Sequence, residues 1–145
     1  MAARGRGGFV IMSSLAGMQG TPAIATYAAT KAFGAVLAEG LWAELRGSGV
    51  DVLACVAGGV ATPGLGAAMS RAAPGTVDPD QVAAAALHAL GRRPRTVPGG
   101  LMRVSAAMMS RLLPRRAAIA LIGRASRELS PPAEPGPAGS PAEPR

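Results

Sequence analysis

Ser13–Lys31 reads SSLAGMQGTPAIATYAATK, and the rest of the chain is interpreted outward from it. It holds the only tyrosine, Tyr27, and the only lysine, Lys31, although Lys and Arg together number 15. The two stand as Y-x-x-x-K. Four residues along a helix return a side chain to the same face one turn on, so a phenol and an ammonium are set side by side. An ammonium so placed favours the phenolate over the phenol. A phenol tuned this way can hand a proton to a carbonyl oxygen or take one from an alcohol. Ser14, thirteen residues before Tyr27, adds a hydroxyl at the end of an apolar run. A lone Y-x-x-x-K is weak, since any helical protein can contain one. Here it follows a strand-like run and a glycine-bearing turn, and that coincidence gives it weight.

The flanking chain alternates strand and helix signals. Gly8–Ser14, GFVIMSS, is a short continuous apolar run with β-branched residues, as expected of a strand buried on both faces of a parallel sheet. Ala16–Pro22 reads as a loop. Ala25–Arg46 reads as a long helix ended by Gly47-Ser48-Gly49. Gly34 and Gly40 inside it cost about 1 kcal/mol each against alanine and permit close helix packing. Trp42 on this helix is expected to be a packing residue. Val50–Val56, VDVLACV, is a second buried strand, with Cys55 as a small buried hydrophobe. Residues 57–77 are rich in Gly, Ala and Pro, with a helical turn expected around Leu65–Arg71. Asp78-Pro79-Asp80-Gln81 opens a helix by capping and by proline at the first helical position. Val82, Leu87 and Leu90 are expected on its apolar face, and Gly91 ends it. Arg95–Pro98 forms a last short strand. The fold class is α/β.

Over Val10–Pro63 the chain resembles the short-chain dehydrogenase/reductase family. The order is the same: a strand ending in serine, a substrate-facing loop, then Tyr-x-x-x-Lys on the next helix. Ser14, Tyr27 and Lys31 match. AGGVATP at Ala57–Pro63 is similar to the family's P-G-x-V-x-T loop, with Gly58, Val60 and Thr62 matching and Ala57 in place of proline. The resemblance implies an NAD- or NADP-linked oxidoreductase acting on a small-molecule alcohol or carbonyl. Tyr27 would be the general acid/base, Ser14 would hold the substrate oxygen, and Lys31 would bind the cofactor ribose. Gly58, Val60 and Thr62 would stand at the nicotinamide end. It also implies a homo-oligomer through the Ala25–Arg46 helix.

The family's T-G-x-x-x-G-x-G turn, which cradles the cofactor pyrophosphate on backbone N–H groups, has no counterpart in these residues. Gly5, Gly7 and Gly8 precede a strand rather than follow one. ARGRGGFVIMSS resembles the helix-to-strand connection before the family's serine strand. The expected architecture is therefore the C-terminal portion of a Rossmann-type doubly wound parallel sheet. Residues 1–100 would form that truncated domain, 101–129 an amphipathic helical segment, and 130–145 a disordered Pro/Ala-rich tail.

Composition bounds the alternatives. At 145 residues, with 49% hydrophobic residues and 3% aromatic ones, there is room for one domain with an aliphatic core. One cysteine leaves no internal disulfide and points to a reducing, cytoplasmic setting. His88 has no ligand-type neighbour at metal spacing. The net charge of +7 raises nucleic acid as a partner, but no aromatic residues interleave with the arginines, which argues against it. Leu101–Arg127 is too charged, and too broken by Pro114, to span a membrane. It could lie on a membrane surface or pack on a partner. A non-catalytic family remnant and an interaction module built on this segment are the competing readings.

The pyrophosphate contacts of such a cofactor are charge-assisted hydrogen bonds worth about 1.5–3 kcal/mol each. Losing three weakens binding by roughly three to six orders of magnitude. The 145-residue chain alone is expected to show no saturable nicotinamide-cofactor binding by calorimetry in the micromolar range. A micromolar isotherm would refute this.

Overall fold

The computed structural model describes residues 1–61 and 76–127. Two apolar runs separated by one long helix lie side by side. Strand β1 (Gly7–Ser14) pairs in parallel with β2 (Val50–Ala57), in unbroken register from Gly7 opposite Val50 to Ser14 opposite Ala57. Helix α1 (Ala25–Glu44) makes the crossover that a parallel pair requires. Helix α2 (Pro79–Ala89) leads to the two-residue β3 (Arg95–Thr96), parallel to β2. The sheet order is β1-β2-β3. Helices α3 (Gly100–Arg111) and α4 (Arg115–Arg127) follow, divided at Pro114.

Alternation along β2 builds two cores, one on each face of the sheet. Val52 and Ala54 pack with Ala35 and Ala38 of α1, with Phe9, Ile11, Leu41 and Trp42 around them. Leu53, Cys55 and Ala57 pack on the other face with Val82, Ala86 and Ala89 of α2, joined by Val10 and Val77. The helices thus contribute mostly alanines, and the strands and flanking residues supply the bulk. Burial pushes the Cys55 thiol above its ordinary value. Arg46 stacks over the Trp42 ring at 4.4 Å.

Turn chemistry follows the sequence. After α1, the Ser48 hydroxyl donates to the Leu45 carbonyl at 2.7 Å and accepts the Val50 N–H at 3.2 Å. Gly49 has φ 75°, and a methyl group there would collide with the Gly5 carbonyl, so only glycine lets β2 start beside the chain entering β1. Asp78 caps α2 by accepting the Asp80 N–H at 2.8 Å.

Two expectations are corrected. β1 is not buried on both faces: Ser13 alone is fully buried and Met12 is 47% exposed. It sits at the sheet edge with one neighbour, and β2 takes the central place. On α2, Leu87 is 67% exposed, because the inward phase runs through Val82, Ala86 and Ala89. The expected turn at Leu65–Arg71, Thr62 and the tail from Ser130 lie outside the described residues.

Among the described residues, β1 presents one edge without a strand partner, carried by FVIM. Unpaired N–H and C=O groups on a flat apolar edge recruit further strands. The isolated chain is expected to self-associate at micromolar concentration, and Met12→Lys is expected to suppress this. Light scattering checks it; a parent chain that stays monodisperse and monomeric would refute it.

Candidate active site

The carboxyl ends of β1 and β2 meet the first turns of α1. Register fixes this: Ser14, the last residue of β1, lies opposite Ala57, and Gly58 follows directly. The carboxyl ends of parallel strands are where open α/β sheets bind ligands.

The loop between β1 and α1 is tightly held. Leu15–Met18 forms a short 3-10 turn, and Ser14 caps it by accepting the Ala16 N–H at 3.2 Å. That bond uses an acceptor position and leaves the Ser14 proton free to donate. Buried Thr21 donates to the Ala16 carbonyl at 2.9 Å. Ala23 then adopts φ 69°, a left-handed conformation costing a non-glycine residue about 1–2 kcal/mol. Helix α4 clamps the same loop. The Ser126 hydroxyl donates to the Pro22 carbonyl at 2.7 Å, and Gly123 packs so closely on Pro22 that a methyl group there would stand 2.9 Å from its ring.

Lys31 and β1 are joined twice. Buried Ser13 donates to the Lys31 carbonyl at 2.8 Å. The Lys31 ammonium donates to the Met12 carbonyl at 3.0 Å. The same ammonium stands 5.5 Å from the centre of the Tyr27 ring, as the four-residue spacing requires. The Tyr27 side chain is 46% exposed.

Ser14, Tyr27 and Gly58 line one cavity of about 340 Å³, together with Ile24, Gly59 and Ile122. Among the described residues no charged side chain lines it. Its far wall is α4, through Ile122 and Ser126. Val60 is placed differently: it bridges to Val77 and packs against the core beneath β2.

A family model described as short chain dehydrogenase matches residues 1–73. The chain belongs to the short-chain dehydrogenase family. An uncharacterised oxidoreductase of Streptomyces coelicolor is 40% identical over 114 residues, covering 77% of this chain and 43% of that protein. Among solved structures, a 7β-hydroxysteroid dehydrogenase superposes with a TM-score of 0.77 at 27% identity, covering 84% of this chain and 48% of that one. A Burkholderia cenocepacia short-chain dehydrogenase in complex with NADP gives a TM-score of 0.62 at 25% identity, over 81% of this chain and 47% of that one. A Brucella melitensis 3-oxoacyl-[acyl-carrier protein] reductase with bound NAD gives 0.54 at 31% identity, over 67% and 40%. The chain thus spans about half the length of the relatives it matches.

Four residues escaped the sequence reading. Ser13 was legible only as one half of a Ser-Ser pair, yet it anchors the helix bearing Tyr27. Gly17 approaches α1 so closely that a methyl group would stand 2.7 Å from the Ala32 nitrogen and 2.8 Å from the Lys31 carbonyl carbon. Ile122 and Ser126 carry no local signal, because nothing in an amphipathic pattern says which cavity a helix will wall.

Gly17→Ala is therefore expected to push the loop away from Lys31 and to cost about 1–3 kcal/mol of stability, as overpacking does. Denaturant melts check it; unchanged stability would show that the loop yields freely.

Proposed function

We propose that this short-chain dehydrogenase carries the catalytic part of a nicotinamide-linked oxidoreductase that interconverts an alcohol and a carbonyl. The observation that carries the reading is the cavity at the strand ends, lined by both Ser14 and Tyr27, with Lys31 one helical turn beyond.

In the reducing direction, the Ser14 hydroxyl donates a hydrogen bond to the substrate carbonyl oxygen. Tyr27 delivers its proton to that oxygen as negative charge develops there. In the oxidising direction Tyr27 takes the proton back. The Lys31 ammonium offers N–H groups to a ribose hydroxyl.

The donor set fits the nicotinamide end of NAD or NADP: an ammonium and a phenol on one helix face, beside Gly58 at the strand ends. The family pattern puts Val60 and Thr62 at that end, and of these Val60 packs against the core in this fold. When bound, the nicotinamide exchanges the hydride. The pyrophosphate finds no glycine-rich turn among these residues. Among the described residues the cavity's lining is uncharged, which favours an apolar small-molecule substrate. Exposed Phe33 and Val36 on α1, at 69% and 66%, support a homo-oligomer through this helix. Free, buried Cys55 accords with a reducing, cytoplasmic setting.

The test joins residues 1–145 behind the glycine-rich cofactor half of another family member. The joined protein is expected to turn over an apolar ketone with NADH or NADPH. Tyr27→Phe keeps the ring, removes the proton, and is expected to lower kcat about 10²–10⁴-fold. Undiminished turnover in Tyr27→Phe would overturn the assignment. A folded but inactive parent would identify a remnant that keeps the family packing without its chemistry.

A further inference from the structure

From Gln81 to Arg127 the chain contains no aspartate or glutamate but nine arginines, at 92, 93, 95, 103, 111, 115, 116, 124 and 127. The overall charge of +7 is thus concentrated in the last part of the fold rather than spread over it. Of these arginines, the structure pairs Arg95 with Glu39 of α1, at 2.7 Å. Arg103, Arg111, Arg115, Arg116 and Arg124 are exposed on α3 and α4.

The same segment exposes an apolar stripe. On α3, Ala106 is buried and Met102 and Met109 are partly buried, so these face the protein. Leu101, Val104 and Met108, with Leu112 at the helix end, are 59%, 58%, 49% and 75% exposed. Their spacings of three, four and four residues place them on one outward face. Arg103 and Arg111 each stand one residue before a stripe position and border that face. A helix that buries one side and exposes a second apolar side has two partners, and among the described residues α3 has one.

We propose that the outward face of α3 docks on the surface of an anionic phospholipid bilayer. Leu101, Val104, Met108 and Leu112 would enter the acyl boundary, and Arg103 and Arg111 would meet lipid phosphates, with the neighbouring arginines adding attraction. The charge decides the partner. A second copy would bring the same arginines against themselves, and this segment offers no carboxylate to offset them. A nucleic acid would leave the leucine, valine and methionine side chains without aromatic stacking partners to assist them. Fluid acyl chains accept aliphatic side chains of any shape, and anionic headgroups supply the counter-charge. Among the described residues no helix is long and apolar enough to cross a membrane, so the contact lies along the surface.

Flotation of the 145-residue chain with vesicles through a density gradient, which leaves self-associated protein at the bottom, tests this. Binding is expected to vesicles of mixed phosphatidylcholine and phosphatidylserine, to be far weaker with phosphatidylcholine alone, and to decline as salt is raised. Val104→Asn/Met108→Asn/Leu112→Asn, all at exposed positions, is expected to weaken binding about tenfold or more. Arg103→Gln/Arg111→Gln is expected to weaken it about tenfold and to flatten its salt dependence. Leu87→Asn, which removes an equally exposed leucine from α2, is expected to bind as the parent does. Circular dichroism accompanies each variant; if the stripe variant fails to fold, the arginine variant decides. Equal binding to neutral vesicles, no binding at all, or equal losses in the Leu87 variant would overturn the proposal. So would a stripe variant that dissociates an oligomer while still binding vesicles, which would identify a second copy as the occupant.

Discussion

The parallel register of β1 and β2 is the constraint on which the rest depends. It runs without a bulge from Gly7 opposite Val50 to Ser14 opposite Ala57. A slip of one residue would reverse the face of every β1 side chain. Phe9 and Ile11 would leave the α1 core for the α2 core, and Val10 would move the other way. It would also separate Ser14 from Gly58, which now share a cavity wall. One pairing therefore sets both the core and the candidate site.

Helix α1 is secured to that pairing by backbone groups rather than by bulk. Ser13 reaches from the strand to the Lys31 carbonyl, and Lys31 reaches back to the Met12 carbonyl. The second is a hydrogen bond from a charged donor, of a kind worth about 1.5–3 kcal/mol when buried and less here, where it is exposed. Together the two bonds fix both the rotation of α1 and its height above the sheet. Alanine-rich packing alone leaves these open, since small side chains slide over one another easily. Tyr27, one turn earlier, inherits its position from them. The ammonium that stands beside its ring is the same one that ties α1 to β1.

Much of this was legible in the residues. The strands, the long helix, the Asp78 cap and the break at Pro114 follow from local rules that the chain obeys. Ser14, Tyr27 and Gly58 lie together because their order along a parallel β-α-β unit leaves them few other places. What was not legible is relational. β1 reads as a doubly buried strand because its composition suits one, but burial depends on neighbours, and at the edge it has one. Leu87 reads as core because it is leucine; the helical phase set by Val82, Ala86 and Ala89 turns it outward. Gly17 and Ser13 matter through what stands opposite them, which a one-dimensional reading does not contain. The helix walling the cavity arrives from about a hundred residues further along the chain, beyond the reach of any periodicity.

That last contact bears on how the molecule is made. The Ser126–Pro22 hydrogen bond spans 104 residues of sequence, and it is what holds α4 across the loop before Tyr27. Contacts of such separation bear the full entropy of closing their loop and form after local structure is in place. During synthesis the strands and α1 leave the ribosome well before α4 does, so the cavity has a floor before it has a wall. In the finished protein that wall is anchored by the Ser126 hydroxyl and the close Gly123–Pro22 contact, with Ala118 and Ser126 both buried. A pocket built this way is completed by a distant part of the chain, so a change in α4 reaches the loop before Tyr27 without touching the sheet.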